Sequence, residues 1–336
     1  VSADAGDPFR EGVQGHLRAR VSVLGGDFVV TSSARSLLDL AIEAFGDLPR
    51  HRLERRLPRF TVRLVLNDRR QTWARGAEPP HPVLSSGAGL LCATIDAGNY
   101  AVMDVGMSRA LICLSKAMLQ QPYYPRYELI ELAFLTLSSR RQALAPLHAA
   151  CIGTNGNGVL LIGASGSGKS TLCLHALAGG MQLLSEDSAF VAPKSLRVTG
   201  VSNYLHLTQG ALAFLQPGPL RRAIERSPVI QRRSGARKLE VDLRELRARI
   251  PRKPLQLVAT VFLSRRAARG AQALEALDRD ACVARLRREQ RYAARRFPGW
   301  AAFERRVAAL PSYELRRTRH PDLAVRQLRD LLRGAE

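Results

Sequence analysis

Nine consecutive residues, Gly163-Ala-Ser-Gly-Ser-Gly-Lys169-Ser170-Thr171, restrict this chain to a small set of folds. A glycine, four residues and then Gly-Lys-Ser is the spacing of a phosphate-binding loop. The flanks agree with it. Residues 159–162, Val-Leu-Leu-Ile, read as a buried strand, and residues 172–177 read as the helix that the loop opens. The small residues Gly163, Ser165, Gly166, Ser167 and Gly168 let backbone N–H groups turn inward around a phosphate, and the helix N-terminus adds partial positive charge. Lys169 can reach the terminal phosphates of a nucleotide, the hydroxyl of Ser170 can ligate Mg²⁺, and Thr171 completes the nucleotide-binding loop. A glycine-rich turn of purely structural purpose explains neither the lysine nor the tandem hydroxyls.

A chain of 336 residues has room for two domains. No apolar run reaches the roughly 18 residues that span a bilayer. The first seven residues are polar and acidic, unlike a secretory signal. The five cysteines are scattered without a Cys-x-x-Cys pair. That pattern argues against a zinc site or a disulfide framework and suits a reducing cytoplasm. The net charge is +22, and from residue 221 onward 30 Lys and Arg stand against 13 Asp and Glu. Such a surface attracts acidic peptides, anionic lipid or nucleic acid. Aromatic residues do not interleave with the basic pairs, so a stacking platform for single strands is not indicated.

Patterning divides the chain near residue 140. Residues 17–31 alternate as a hairpin turned at Gly25-Gly26, residues 33–45 carry a helical apolar face, and residues 60–66 alternate as a strand. Residues 74–89, rich in Pro, Gly and Ser, read as a loop. Residues 90–96 and 100–107 form a second hairpin pattern, and residues 127–138 a helix. Residues 1–140 are thus expected to be a small α/β domain without a catalytic motif. In residues 141–336, strands are expected at 148–152, 159–162, 182–185 and 255–263, with a basic, mostly helical part from about residue 278. Glu186-Asp187 follows Lys169 by one helix length and a return, which predicts two carboxylates at the end of a neighbouring parallel strand, beside the phosphate loop. One would ligate Mg²⁺ and the other accept a hydroxyl proton. His148 precedes the strand pair. His175, among apolar residues on the loop helix, is expected to be packed, and His206 carries no assigned role.

The residues Leu147-His148-Ala149, 158–163, 168–172, Gly180 and Leu184-Ser185-Glu186-Asp187 together resemble the HPr serine kinase/phosphorylase family, and more nearly its divergent HPr-kinase-like branch, some of whose members are encoded beside lasso-peptide and other peptide-modification clusters. The resemblance covers about forty residues closely, and the ending Leu310-Pro311-Ser312-Tyr313-Glu314-Leu315 loosely. It implies an α/β, P-loop nucleotide core like that shared with phosphoenolpyruvate carboxykinase, preceded by the small α/β domain. It implies ATP and Mg²⁺ as cofactors. It would have His148 orient the acid/base carboxylate, Glu186 stand where the family has its catalytic aspartate, and Asp187 stand near the metal with Ser170. The family pair is Asp-Asp, whereas here it is Glu-Asp, so which of the two is the base stays open. The family's downstream acidic signature and its phosphorylase arginine have no counterpart, so neither reverse phosphorolysis nor HPr as substrate is implied. Residues 232–238, Arg-Arg-Ser-Gly-Ala-Arg-Lys, lie in the corresponding region as a source of phosphate-directed cations or a mobile basic loop.

These observations point to a Mg²⁺-dependent kinase that transfers the γ-phosphate of ATP to a serine on a peptide or small protein, with an acidic substrate, a precursor peptide included, favoured by the basic C-terminal third. A kinase for free serine or a sugar, and a non-catalytic nucleotide-binding regulator, stay open beside it. Nucleic acid is a partner the charge allows without favouring, and a homo-oligomer is compatible with the family. A transport ATPase is disfavoured because no Leu-Ser-Gly-Gly-Gln signature follows the loop, and a GTPase because no Asn-Lys-x-Asp is present.

Overall fold

The computed structural model describes residues 16–67, 73–74, 77–268 and 270–334. The chain is α/β and divides into two compact units. One holds residues 1–48 and 56–141; the other holds residues 49–55 and 142–336.

The first unit is built on a seven-stranded sheet. Its strands are β1 (Leu17–Val23), β2 (Gly26–Ser32), β3 (Phe60–Asn67), β4 (Val83–Gly87), β5 (Leu90–Asp96), β6 (Asn99–Asp104) and β7 (Arg109–Ser115), in the spatial order β1-β2-β3-β7-β6-β5-β4. The turn between β1 and β2 is Leu24-Gly25, one residue earlier than the glycine pair suggested. Both residues have positive φ, 49° and 83°, as the right-handed twist of a two-residue hairpin demands. Helix α1 (Arg35–Phe45) buries Leu37, Leu38, Ala41 and Phe45. The short α2 (Lys116–Leu119) leads to a π-helical turn at Pro125–Glu131 and then to α3 (Leu132–Gln142). The rings of Phe60, Phe28, Phe134 and Phe45 stack in that order, with successive centroids 4.5–4.9 Å apart. Within the segment expected to be a loop lies β4. All five of its residues are exposed and it pairs on one side only, so the alternation that marks a half-buried strand is missing. The segment's residues 75 and 76 lie outside the described residues.

The second unit centres on an eight-stranded sheet. It contains β8 (Ala145–Thr154), β9 (Asn157–Ile162), β10 (Gln182–Ser185), β11 (Ser188–Val191) and β12 (Arg197–Gly200). Alternate residues of β8 and β9 enter two separate cores. Ala150, Ile152, Val159 and Leu161 face α4 (Lys169–Ala178), while Ala149, Cys151, Leu160 and Ile162 face the opposite side. A sheet covered on both faces explains why residues 159–162 are uninterruptedly apolar and fully buried. A small separate sheet holds β13 (Tyr204–Leu207) and, after helix α5 (Pro219–Glu225), β14 (Val229–Gln231) and β15 (Arg237–Asp242), in the order β13-β15-β14. The main sheet is completed by β16 (Leu255–Ala267), which runs parallel to β9, and by β17 (Leu274–Leu277). Helices α6 (Arg279–Glu289), α7 (Arg291–Arg296) and α8 (Trp300–Val307) supply Cys282, Ala293, Trp300 and Phe303 to the second core. The expected helical C-terminal part is interrupted by β18 (Ser312–Arg317), which pairs in parallel with β16, and closes with α9 (Pro321–Arg333), packed into the same core as α4.

The segment Pro49–Arg55 belongs with the second unit, and its anchor is His51. The carbonyl of Pro251 only accepts, so His51 Nε2–H donates to it at 3.0 Å, and Nδ1 then accepts from the Thr199 hydroxyl at 2.7 Å. Burial lowers the pKa of His51 and keeps it neutral, although the Pro251 bond opposes the shift. His51→Ala strands that carbonyl and that hydroxyl. The expected cost is about 1–3 kcal/mol, read as a lower urea midpoint. A midpoint unchanged from wild type contradicts the anchor.

Candidate active site

The phosphate loop follows from its own backbone requirements. Gly166 and Gly168 sit at φ of +76° and +100°, a region that L side chains rarely adopt. A Cβ on Gly163 would come within 2.7 Å of Ser167 Oγ. Gly168 ends the loop and α4 begins at Lys169, so the free N–H groups of the first turn border the loop. Lys169 Nζ donates to the carbonyls of Gly163 (2.5 Å) and Ala164 (3.4 Å) and lies 3.4 Å from His148 Nε2. Burial lowers the Lys169 pKa, while Asp187 and Glu186 act to raise it.

The two carboxylates lie at the junction of β10 and β11, which run in succession along β8. Leu183 pairs with Ile152 but Ser185 pairs with Cys151, so Leu184 is an extra residue, a bulge in that edge. A bulge re-aims the side chains that follow it. The expected direct neighbour relation is therefore corrected. Both β10 and β9 pair with β8 in antiparallel fashion, so β10 is parallel to β9 but one strand removed from it.

After the bulge the acidic pair diverges. Glu186 is 6% exposed; its Oε1 accepts from the Ser170 hydroxyl at 2.5 Å, and its Oε2 accepts from the backbone N–H (3.0 Å) and Nδ1 (2.9 Å) of His206. Asp187 is half-exposed, with Oδ1 3.1 Å from His148 Nδ1. Ser188 of β11 pairs with His148 of β8, which brings the preceding Asp187 beside His148. Ser170, expected from the sequence near a metal with Asp187, donates its hydroxyl to Glu186. The peptide of His148 is itself gripped. Gln290 Oε1 accepts from its N–H at 2.9 Å, and Gln290 Nε2 donates to its carbonyl at 3.0 Å.

His206, given no role from the sequence, holds the inner carboxylate. It stands on β13 between Glu186 and, at 3.5 Å from its Nε2, Glu240 of β15. Burial lowers its pKa, but bonding to Glu186 and Glu240 outweighs this and raises it, with Arg232 opposing. Burial likewise pushes Glu186 up, and the bonds from His206 and Ser170 outweigh it and hold the carboxyl low. The signal was the alternation of Tyr204-Leu205-His206-Leu207, but the partner is twenty residues upstream. The basic stretch at 232–238 is the turn and first strand residues of the β14–β15 hairpin, closed by bonds between Arg232 and Ala236 and between Gly235 and Arg232. Lys238 is near enough to depress the Lys169 pKa. His175 is packed, its Nδ1 3.0 Å from Asp322 Oδ1 on α9.

Among the described residues no group of three or more His, Cys, Asp and Glu forms a metal cage. Mg²⁺ commonly uses one or two carboxylates together with substrate phosphates, and the oxygen pair of Ser170 and Glu186 beside the loop fits that kind of ligation. Among the described residues no helix is long and apolar enough to cross a membrane.

No protein-family model and no curated protein matches the chain. Among solved structures, the HPr(Ser) kinase/phosphatase from Coxiella burnetii is similar at 13% identity and a TM-score of 0.28, over 55% of this chain and 94% of that one. A likeness at that level assigns neither an activity nor a substrate.

Proposed function

We propose that this protein is an ATP- and Mg²⁺-dependent kinase that phosphorylates a serine hydroxyl on an acidic peptide or small protein. The observation that carries the reading is the convergence at Lys169. Its ammonium, set by the phosphate loop, lies 3.4 Å from the same imidazole that holds Asp187 at 3.1 Å. A cation for the transferred phosphate and a solvent-accessible carboxylate for the acceptor proton therefore stand on either side of His148.

In this reading the loop N–H groups, the helix N-terminus and Lys169 hold the phosphates of ATP. Asp187 takes the proton from the attacking hydroxyl as its oxygen bonds the γ-phosphorus and the bond from that phosphorus to the β,γ-bridging oxygen breaks, releasing ADP, and His148 fixes the direction of the Asp187 carboxylate. Glu186, engaged with Ser170 and His206, serves the metal side. Bound there by Ser170 and Glu186, Mg²⁺ would neutralise charge on the phosphates. The excess of cations from residue 221 onward favours an acidic acceptor.

The test is transfer from γ-labelled ATP with Mg²⁺ to serine-containing peptides of graded acidity. Acid-stable, base-labile label on peptide is expected, reduced roughly 10- to 100-fold in Lys169→Ala, the value of a charged hydrogen bond. Label on free serine or a sugar instead would make the protein a small-molecule kinase. ATP binding without transfer to any acceptor would make it a regulator.

A further inference from the structure

A cleft of about 360 Å³ adjoins the phosphate loop, within the range of roughly 300–1,000 Å³ for small-molecule sites. It is lined by Gly166–Gly168 and Thr171, by apolar side chains that include Leu172, Phe214 and Leu315, and by Arg265, Arg316 and Arg317. None of His148, Glu186 and Asp187 lines it. The carboxylates therefore stand outside the cleft.

Two of its lining residues carry buried polar atoms with no partner among the described residues. These are Ser167 Oγ and Arg316 Nε, although Arg316 Nη2 is paired with Glu275 at 2.6 Å. Buried polar atoms are nearly always hydrogen-bonded, so these two orphans mark residues of the wall with unused hydrogen-bonding capacity just beneath its surface. An apolar wall with a few polar groups and an aromatic ring suits a flat heteroaromatic ring and its sugar. Arg265 holds the loop tip through the carbonyl of Ser165, at 3.4 Å.

Resting on the nucleotide reading above, we infer that this cleft seats the nucleoside half of the nucleotide. The base lies against Phe214 and Leu315, and the sugar lies next to Ser167 and Arg316. The donor then enters from the β18–α9 side, and the acceptor meets the γ-phosphate from the His148–Asp187 side. The two substrates do not compete for one entrance.

The test compares ATP with inorganic tripolyphosphate, which has the phosphates without the nucleoside. Calorimetry of the full chain with Mg²⁺ is run on wild type, Ser264→Trp and Thr318→Trp, two substitutions at partly buried positions on the cleft wall. Each is expected to weaken ATP binding at least tenfold and to leave tripolyphosphate binding within twofold. Unchanged ATP affinity in folded variants overturns the cleft assignment, as does an equal loss of both ligands. Wild type that binds neither ligand defeats the nucleotide reading itself. Photolabelling of wild type with 8-azido-ATP needs no variant. Label on the peptide spanning residues 313–324 supports the cleft, and label confined to peptides that do not line it overturns the cleft.

Discussion

Asp187→Asn is expected to lower kcat for phosphate transfer by about 10²–10⁴-fold, the usual contribution of a positioned general base. The asparagine keeps the shape of the side chain and its proximity to His148 but cannot accept the acceptor's proton. Nucleotide affinity should change far less, because in the proposed mechanism the phosphates rest on the loop and Lys169, and Asp187 acts on Lys169 through its charge. Glu186 is the rival base, but its two oxygens are already committed to the Ser170 hydroxyl and to His206, and it is 6% exposed. An acceptor hydroxyl would have to displace one of those bonds to reach it. Asp187, by contrast, keeps 45% of its side chain open. The measurement is steady-state kinetics of Asp187→Asn beside Glu186→Gln. A kcat within tenfold of wild type for Asp187→Asn, with a severe loss in Glu186→Gln, would falsify the assignment and move the base to Glu186.

That choice between two adjacent carboxylates marks where the sequence stops being legible. The strand, glycine turn and helix around Lys169 could be read because their requirements are local. The glycines, Lys169 and Ser170 fall within nine residues. The spacing to Glu186-Asp187 could be read as one helix and a return. Their different settings, Glu186 buried on Ser170 and His206 and Asp187 open beside His148, could not, since they follow the extra residue at Leu184, which shows only as a slipped pairing with β8. His206 illustrates the same limit. Its alternating neighbours identify a strand, but Glu186 is reached only because the β13–β15 sheet lies against the loop helix. Gln290, which grips the His148 peptide from 142 residues away, and His51, which reaches Thr199 across 148, carry no pattern at all. Strand β7 carries a continuous apolar run, Ala110–Leu114, in place of an alternation, and β4 lacks a buried face. Local periodicity and spacing are written along the chain, whereas partners that meet only through tertiary packing are not.

Glu186→Ala is expected to cost about 3–5 kcal/mol of unfolding free energy, because it leaves a buried imidazolium without its main counter-charge and orphans the His206 N–H. Its pH dependence separates this from a simple loss of packing. In the native protein the Glu186 carboxyl is held below its ordinary 4.5 and the His206 imidazole above its ordinary 6.5. The lowered carboxyl contributes stability that is present above 4.5 and lost as pH falls through its folded value. The raised imidazole contributes stability that is present below 6.5 and lost as pH rises through its folded value. The gap between wild type and Glu186→Ala should therefore be widest from about pH 4.5 to 6.5 and narrow on both sides. Glu240, 3.5 Å from the other ring nitrogen, keeps part of the imidazolium's support in the variant, so the gap falls short of what a fully isolated charge would give. Urea unfolding at a series of pH values measures it. Combining Glu186→Ala with His206→Asn, which removes the stranded charge, should recover part of the loss. A gap that is flat across pH, with no recovery in the double variant, would mean that Glu186 acts by filling space and that its ion pair with His206 contributes nothing.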